Sequence, residues 1–204
     1  MDQTKKLVQR AQKGDVRAYE ELVMLYQDRV YGLCYQLTGN YDDAQDLAQD
    51  AFIKAYGALK SFRNEADFGT WIHRITVNLW INIKRRKRHD VSLDQPVQTS
   101  DGEVQRDIAA AEDGPEEAVE KMEFQSLVRA ALRDLSPEHR AVLVLREMQG
   151  YAYDEIAGVL DCSLGTVKSR INRARQALKE RVKTLAAEAG MALPGYGKRN
   201  RRVK

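Results

Sequence analysis

The chain has 204 residues, of which 43% are hydrophobic and 31% are charged, enough apolar side chains for one large core or two small ones. Only 13 glycines and 4 prolines interrupt it, and runs of β-branched residues are scarce, which favours an all-α fold. No apolar stretch near the start resembles a signal peptide, and no run approaches the roughly 20 apolar residues of a membrane span, so we expect a cytoplasmic protein without membrane insertion.

Motifs for catalysis and for cofactor binding are missing from the sequence. It contains no phosphate-binding loop, no paired metal-ligand spacing and no nucleophile motif. The two cysteines, Cys34 and Cys162, lie far apart and without nearby histidines, which argues against a disulfide and against a zinc site. We therefore expect no catalytic residue, no metal and no cofactor.

The small net charge of +3 conceals a strong segregation of charge along the chain. Residues 84–88 are five consecutive bases, whereas residues 94–120 carry nine acids and one base. Residues 163–183 then carry seven bases and one acid, and residues 198–204 carry five bases. Basic blocks on either side of an acidic stretch indicate two contacts with a polyanion, joined by a segment that avoids it.

Apolar spacing predicts four helices in the first ninety residues. A short helix precedes Lys13, and a long one follows a cap at Asp15 and ends at residues 38–40. The third runs from about Asp42 to Leu59, and a polar loop at 61–67 separates it from the fourth, at about 68–88. The side chains predicted to face the core from this last helix are Trp71, Ile72, Ile75, Leu79 and Ile83.

Acidic side chains share one side of the third predicted helix at spacings of three and four residues. The polar members of this face are Asp43, Asp46, Gln49, Asp50 and Lys54. Such a face repels DNA, so it is either a solvated surface or a surface that docks another protein. The presence of basic segments elsewhere in the chain makes protein docking plausible.

The fourth predicted helix combines aromatic residues with polar ones and ends in the basic block at 84–88. Aromatic rings and bases together suit unpaired, unstacked nucleotides. Asn78 and Asn82 lie one turn apart, so one polar stripe can face a nucleic-acid strand. The alternative is that the tryptophans belong to the core, which we favour for Trp80. We expect His73 to be a surface residue.

The composition changes near residue 91. Residues 92–114 are polar and acidic without sustained periodicity, and we interpret them as a flexible linker in which 104–111 can form a short helix. Helix returns at Pro115, where Pro at the first turn and two following glutamates suit a helix start, and the segment 136–138 marks another start. We predict two helical domains, at 1–91 and 115–186, followed by a basic tail at 187–204 that begins to fray near Leu185.

A helix-turn-helix is predicted at 150–175. One helix has an apolar face built from Ile156, Ala157 and Leu160, and residues 161–163 break it. The next helix has Val167, Ile171, Ala174 and Leu178 at helical spacing, and basic or polar side chains on its other faces. A helix that is packed on one side and basic on the other is suited to the major groove, where its side chains reach phosphates and base edges. The alternative is a surface helix whose basic side chains are solvated and bind no DNA.

Three stretches, in chain order, resemble bacterial RNA polymerase sigma factors of the extracytoplasmic-function group. They are DLAQDAFIKAYGALKSF at 46–62, FGTWIHRITVN at 68–78, and the segment from Ser136 to Leu178. In that family the first docks the polymerase, the second melts and reads the −10 element, and the third reads the −35 element. The resemblance implies two helical domains, called σ2 and σ4, and a transcription initiation factor that brings core RNA polymerase to promoters.

The resemblance also implies roles for individual residues. The polymerase-binding set, which would meet a β′ clamp coiled coil, is Asp43, Asp46, Gln49, Asp50 and Lys54. The −10 DNA set is Arg63, Asn64, Glu65, Thr70, Trp71, Arg74, Asn78, Asn82, Lys84 and Arg85. The −35 DNA set is Arg146, Ser163, Thr166, Lys168, Ser169, Asn172, Arg173 and Arg175. Further partners implied are the β flap of the polymerase and an anti-sigma factor. Relatives can carry a larger side chain than Asn172 at its position, which leaves the −35 preference open.

Other classes of protein fit the sequence less well. An adaptor that mimics a sigma factor and binds only an anti-sigma protein would not need the basic residues at 84–88 and 163–183. A dimeric helix-turn-helix repressor would use the first hundred residues as a sensor, yet no ligand-pocket pattern is visible there. The tail at 195–204 either adds nonspecific affinity for DNA through counterion release or is an inert, solubilising segment.

Overall fold

The computed structural model describes residues 3–63, 66–91 and 115–191, and the regular secondary structure in those ranges is helical throughout, as the all-α prediction requires. The helices are α1 (Gln3–Gln12), α2 (Val16–Thr38), α3 (Tyr41–Ala58), α4 (Phe68–Val91), α5 (Pro115–Arg133), α6 (Pro137–Leu143), α7 (Tyr153–Leu160) and α8 (Leu164–Glu188). A 3₁₀ turn at Leu59–Ser61 follows α3, and a π-helical turn at Val144–Met148 extends α6.

Helices α1 to α4 form the first helical unit. The Asp15 carboxylate caps α2 by accepting the backbone N–H of Ala18 at 3.1 Å, and the Asn40 side chain caps α3 by accepting the N–H of Asp43 at 2.7 Å. Between these caps Gly39 has a φ of 81°, a left-handed conformation that glycine adopts without strain. The reversal brings α2 against α3, and α4 closes the core over both. Fully buried side chains from the three helices include Leu22, Leu33, Ala51 and Ile72.

Helices α5 to α8 form the second helical unit. Ser136 caps α6 by accepting the backbone N–H of His139 at 3.3 Å, and Pro137 occupies the first turn. The core of this unit is made of buried aliphatic side chains on α6, α7, α8 and the π-helical turn. Its members include Val142, Leu145, Ile156, Val159, Val167 and Ile171.

The two units pack against each other through α4, which lies on α6 and α7. Arg140 is 5% exposed, donates from Nη2 to the Gln36 carbonyl at 3.2 Å, and lies 5.8 Å from the ring centroid of Trp80. A second bond joins the Gln149 amide to the Gln36 side chain at 2.9 Å. The two units therefore share one continuous cluster of buried side chains.

Three sequence predictions need correction. His73, expected at the surface, is only 6% exposed, because Tyr151 of the second unit covers it and its Nδ1 meets the Tyr151 hydroxyl at 2.7 Å. Helix α8 does not fray at Leu185 but continues to Glu188, because Ala186 is buried. Of the five side chains predicted to face the core from α4, only Ile72 is fully buried, and the other four are half-buried: Trp71, Ile75, Leu79 and Ile83. The other fully buried side chains of that part of α4 are Thr76 and Val77.

The predicted linker, including the short helix proposed for 104–111, lies outside the described residues, and so does most of the basic tail, from 192 onward. Helix α4 ends at Val91 and α5 begins at Pro115, on either side of that segment.

Candidate nucleic-acid and protein interfaces

The helix-turn-helix is formed by α7, α8 and the three residues between them. Asp161 ends α7 with a φ of 50°, in the left-handed region that Asp tolerates better than most residues. Two residues later the Ser163 hydroxyl caps α8 by accepting the N–H of Thr166 at 3.1 Å. Ile156 of α7 and Ile171 of α8 are fully buried in the core behind this turn. The turn and the core therefore fix the direction of α8.

The start of α8 presents polar and basic side chains to solvent. Lys168, Asn172 and Arg173 are exposed, and within the described residues they make no hydrogen bond or ion pair. Ser169 lies one turn before Arg173 and bonds only the carbonyl of Thr166, at 3.0 Å. This face offers cationic and amide donors whose hydrogen-bonding capacity is not used inside the chain, as contact with phosphates and base edges requires.

Other members of the −35 set support the turn itself. The Ser163 and Thr166 hydroxyls bond each other at 2.8 Å. Arg146 is half-buried, donates from Nη1 to the Tyr151 carbonyl at 2.8 Å and lies 5.0 Å from the ring of Tyr153. Arg175 donates from Nε and Nη2 to Glu147 Oε1 at 3.1 and 2.6 Å. Each of these arginines would have to give up or share a contact in order to reach DNA.

The beginning of α4 is held by Asp67. Its carboxylate accepts the N–H of Gly69 at 2.7 Å, the N–H of Thr70 at 3.1 Å and the Thr70 hydroxyl at 2.9 Å. Burial raises the pKa of this carboxyl, but these hydrogen bonds outweigh burial and leave the pKa below its usual value. Trp71 is half-buried, with ring centroids 4.6 Å from Phe62 and 5.5 Å from Phe68. One edge of an aromatic stack is thus available beside the polar loop.

Some side chains of the polar stripe on α4 make contacts inside the described chain, and others do not. Asn78 and Asn82, four residues apart, make no hydrogen bond or ion pair within the described ranges, and Asn82 is exposed. The two arginines of the stripe instead point to carboxylates of the second unit: Arg74 to Asp161 and Arg85 to Glu138. From the loop, Arg63 is exposed, whereas Asn64 and Glu65 lie outside the described residues.

The acidic face of α3 lies beside the basic end of α4. Asp46, Gln49, Asp50 and Lys54 are exposed, and Asp43 is half-buried. A cavity of about 170 Å³ separates the two helices, lined by Thr38, Asp43, Asp46, Leu47, Asp50, Trp80, Ile83, Lys84 and Lys87. Burial lowers the pKa of Lys84, while nearby Asp43 opposes that effect. The face therefore offers carboxylates to a basic partner at the mouth of a small, charged cavity.

Sequence reasoning missed the side chains that join the two units. Arg140 was not singled out, because a single base in a helical segment is ordinarily a solvated residue. Tyr151 was read only as part of the helix-turn-helix, and it bonds His73 across a separation of 78 positions. No local pattern announces a contact between residues so far apart in the chain.

Two kinds of site are missing from the described parts of the chain. No group of three or more histidine, cysteine or acidic side chains is arranged to hold a metal ion. None of the described helices is long and apolar enough to span a membrane.

Family models and relatives agree on the class of protein. Sigma-70 region 2 matches residues 22–89, and Sigma-70 region 4 matches residues 125–178. The RNA polymerase sigma-H factor of Pseudomonas aeruginosa is 39% identical over 92% of this chain and 98% of its own length. The ECF (extracytoplasmic-function) sigma factor SigW of Bacillus subtilis is 37% identical, over 89% of this chain and 97% of its own.

A third relative is the ECF sigma-E factor of Escherichia coli, 38% identical over 88% of this chain and 94% of its own length. Among solved structures the fold is similar to the sigma factor RpoE of Bartonella quintana in complex with the anti-sigma factor NepR, with a TM-score of 0.63 at 23% identity, over 81% of this chain and 96% of that one. The structure of CnrH in complex with the cytosolic domain of CnrY has a TM-score of 0.60 at 24% identity, over 90% of this chain and 99% of that one. The chain belongs to the sigma-70 family of RNA polymerase sigma factors, in its extracytoplasmic-function group.

Proposed function

We propose that this protein binds core RNA polymerase and directs it to promoters that carry a −35 and a −10 element, and that it helps to melt the DNA. The observation that carries the proposal is the exposed face of α8, where Lys168, Asn172 and Arg173 make no hydrogen bond or ion pair with the described residues. A second face, on α4, combines Trp71 with the amides of Asn78 and Asn82, which bond no other side chain in the part of the chain that the structure describes. The RNA synthesis itself would be the chemistry of the polymerase, so the factor is not an enzyme.

The second unit reads duplex DNA in this proposal. The face of α8 enters the major groove at the −35 element, with Arg173 and Lys168 on guanine edges or phosphates. Ser163, Thr166, Ser169 and Asn172 stand beside them. Arg146 and Arg175 fix the helix-turn-helix and reach phosphates at its margin.

The first unit engages the −10 element. A base extruded from the stack is captured beside the loop that carries Arg63, Asn64 and Glu65, and the cost of unstacking, about a few kcal/mol, is offset by polar and stacking contacts. Thr70 and Trp71 border that position. The side chains that follow the opened strand along α4 are Arg74, Asn78, Asn82, Lys84 and Arg85.

Polymerase docking is assigned to α3, whose carboxylates Asp43, Asp46 and Asp50, together with Gln49 and Lys54, bind the β′ clamp coiled coil. The β flap binds the second unit, where an open groove of about 720 Å³ between α5 and α8 is lined in part by Leu127, Ala130, Leu185 and Met191. An anti-sigma factor is the further partner, and the cytoplasm is the place of action. The domain limits in this assignment are 1–91 and 115–186, with a linker at 92–114 and a tail at 187–204.

Run-off transcription on a promoter library with purified core polymerase tests this function. We expect transcripts that depend on added factor and that share two sequence elements upstream of their start sites. Binding to DNA without initiation would instead indicate a repressor, and absence of any DNA-dependent activity would indicate an adaptor. Either of those results contradicts the proposal.

A further inference from the structure

The groove between α5 and α8 has an apolar lining and an acidic border. Carboxylates stand at its border, where Glu123 of α5 and Glu188 of α8 are both exposed. Between them lie the remaining residues of the two walls: Ser126, Leu127 and Ala130 on one side, and Leu185, Ala189 and Met191 on the other. An open groove with apolar walls indicates a surface that another segment can cover.

The two helices are antiparallel, so the groove lies between the last turns of α8 and the first half of α5. Near one end of the pair Arg181 Nε donates to Asp134 Oδ2 at 2.5 Å. Beyond that contact the lining residues continue toward the end of α8 at Glu188 and toward the start of α5 at Pro115. The end of α8 therefore lies toward the acidic start of α5, where residues 115–123 carry four acids and one base.

The end of α8 turns the chain toward this groove. Gly190 has a φ of 66°, and its N–H donates to the Ala187 carbonyl at 3.3 Å, while the N–H of Met191 donates to the Ala186 carbonyl at 2.9 Å. These two bonds form a Schellman motif, in which a left-handed residue takes the chain out of the helical direction. Ala186 is buried and Met191 lines the groove. The described part of the chain therefore ends at the wall of the groove.

The residues that follow have a composition that matches this surface. Leu193 and Tyr196 supply large apolar side chains within five residues of Met191. Residues 198–204 then carry five bases and no acid. An apolar pair followed by a basic block is complementary to an apolar groove that lies beside an acidic helix start.

The length of the segment also fits the groove. From Glu123 to Ala130 the α5 wall is about 10 Å long, at the rise of an α-helix. Residues 192–196 span at most roughly 17 Å when extended, so they can cover that wall. The pair Pro194-Gly195 is typical of the two central positions of a type II turn, which reverses the chain. Such a reversal would return the basic block to the start of α5.

We propose that residues 192–204 dock onto their own chain, with Leu193 and Tyr196 in the α5–α8 groove and the basic block beside the acidic start of α5. The segment then covers the surface that the proposed function assigns to the β flap, so that docking of the tail and binding of the flap compete. This competition rests on the proposed function, whereas the docking itself does not. The bases of the tail are thereby engaged within the chain instead of on DNA.

Disulfide trapping in the full chain tests the docking. The groove pair is Gly197→Cys with Ser126→Cys, in a background with Cys34→Ala and Cys162→Ser that removes both native thiols. The control pair is Gly197→Cys with Gln125→Cys, an exposed neighbour that does not line the groove. Docking should make the intramolecular disulfide of the groove pair form about tenfold faster, because it raises the effective concentration of one thiol near the other.

Matched variants of the tail separate its apolar residues from its bases. Leu193→Ser with Tyr196→Ser removes the apolar side chains and keeps all five bases, and it should slow the groove pair to the rate of the control pair. Asn200→Ser with Val203→Ser makes the same number of changes within the basic block and should leave the rate unchanged. Circular dichroism checks that all variants keep their helices.

Affinity for core polymerase provides the second readout. A chain that stops after Met191 should bind core polymerase about 3- to 10-fold more tightly than the full chain, as expected if the tail occupies the groove in two-thirds to nine-tenths of the molecules. The Leu193→Ser/Tyr196→Ser variant should match the shortened chain, because its groove is open although its bases remain.

The outcomes distinguish this inference from the proposed function. Equal rates for the groove pair and the control pair would overturn the inference and leave the proposed function intact. A disulfide between two chains would also overturn it, because the occupant of the groove would then be a second copy. A shortened chain that binds core polymerase no more tightly than the full chain would overturn the competition. Failure of both chains to bind core polymerase would instead overturn the proposed function.

Discussion

The two helices that present DNA-facing side chains, α8 and α4, differ in how many tasks their residues perform. On α8 the apolar side chains Val167, Ile171 and Ala174 are completely buried, while Lys168 and Arg173 are exposed and make no hydrogen bond or ion pair in the described ranges. On α4 several candidates are already engaged: Thr70 donates to the capping Asp67, Trp71 stacks on Phe62, and Arg74 contacts the other unit. An amphipathic helix at the edge of a unit separates packing from binding, whereas a helix between two units must do both.

The largest expected effect separates the two tryptophans of α4. Trp80 is 3% exposed and Trp71 is half-buried, so Trp80→Ala should lower the free energy of unfolding by about 3–5 kcal/mol and Trp71→Ala by clearly less. Trp71→Ala should instead reduce open-complex formation at saturating factor. Urea unfolding and permanganate reactivity of melted DNA measure the two effects. Equal losses of stability in the two variants would contradict the assignment of Trp80 to the core and of Trp71 to DNA melting.

A pH experiment examines the joint between the units. Burial lowers the pKa of His73 to about 4 from the ordinary 6.5, and the opposing attraction of Asp67 is weaker. The unfolded chain therefore takes up the proton first as pH falls, so stability present at pH 7 is lost between about pH 6.5 and 4. The maximum loss is roughly 3 kcal/mol.

Chemical denaturation at pH 7 and pH 4.5 checks this loss. His73→Gln, which still offers Tyr151 an acceptor, should reduce the pH dependence, and His139→Gln is the matched control. A pH dependence that is identical in the two variants would contradict the assignment to His73.

For α8, the expectation is loss of DNA reading without loss of polymerase binding. Arg173→Ala should weaken binding to a −35 duplex by about 1–3 kcal/mol and abolish −35-dependent transcription. Arg129→Ala removes the same charge from an exposed position on α5 and should change neither. An equal loss of core binding in a pull-down would mean that Arg173 is not a DNA-reading residue.

The smallest effect concerns the docking face on α3. Asp50 is exposed, so Asp50→Arg should leave the fold intact and weaken core binding by roughly 1 kcal/mol, or about fivefold. The affinity is measured by competition between the variant and the unsubstituted factor for core polymerase. Asp28→Arg, the same charge reversal at an exposed position of α2, is the control, and unchanged affinity in the Asp50 variant would remove that residue from the interface.

The difference between α8 and α4 also marks how far the sequence alone can predict. Helical spacing and end signals predicted these helices well: Asp15 caps α2, Gly39 ends it, and the predicted break at 161–163 separates α7 from α8. The exposed face of α8 follows from the same periodicity. Because the apolar stripe packs on the core, the other faces of the helix must face solvent. These features depend on neighbours three or four positions away.

What could not be predicted depends on distant neighbours. His73 is buried because Tyr151 covers it. Arg85 forms an ion pair with Glu138, a residue 53 positions further along the chain. The same polar stripe on an isolated helix would be solvated. Contacts between two units have no periodicity in either segment, so the occupied part of α4 becomes visible only when both units are placed together.

The claim that one chain grips the promoter at two separate points is tested most directly by photo-cross-linking in the polymerase–promoter complex. A photoreactive amino acid is placed at Lys168 on α8 or at Asn78 on α4, and the cross-linked bases are mapped on the same DNA. The account predicts cross-links about 25 base pairs apart, upstream from α8 and downstream from α4, a separation of roughly 85 Å. Cross-links from both positions within the same few base pairs, or none from α4, would contradict it.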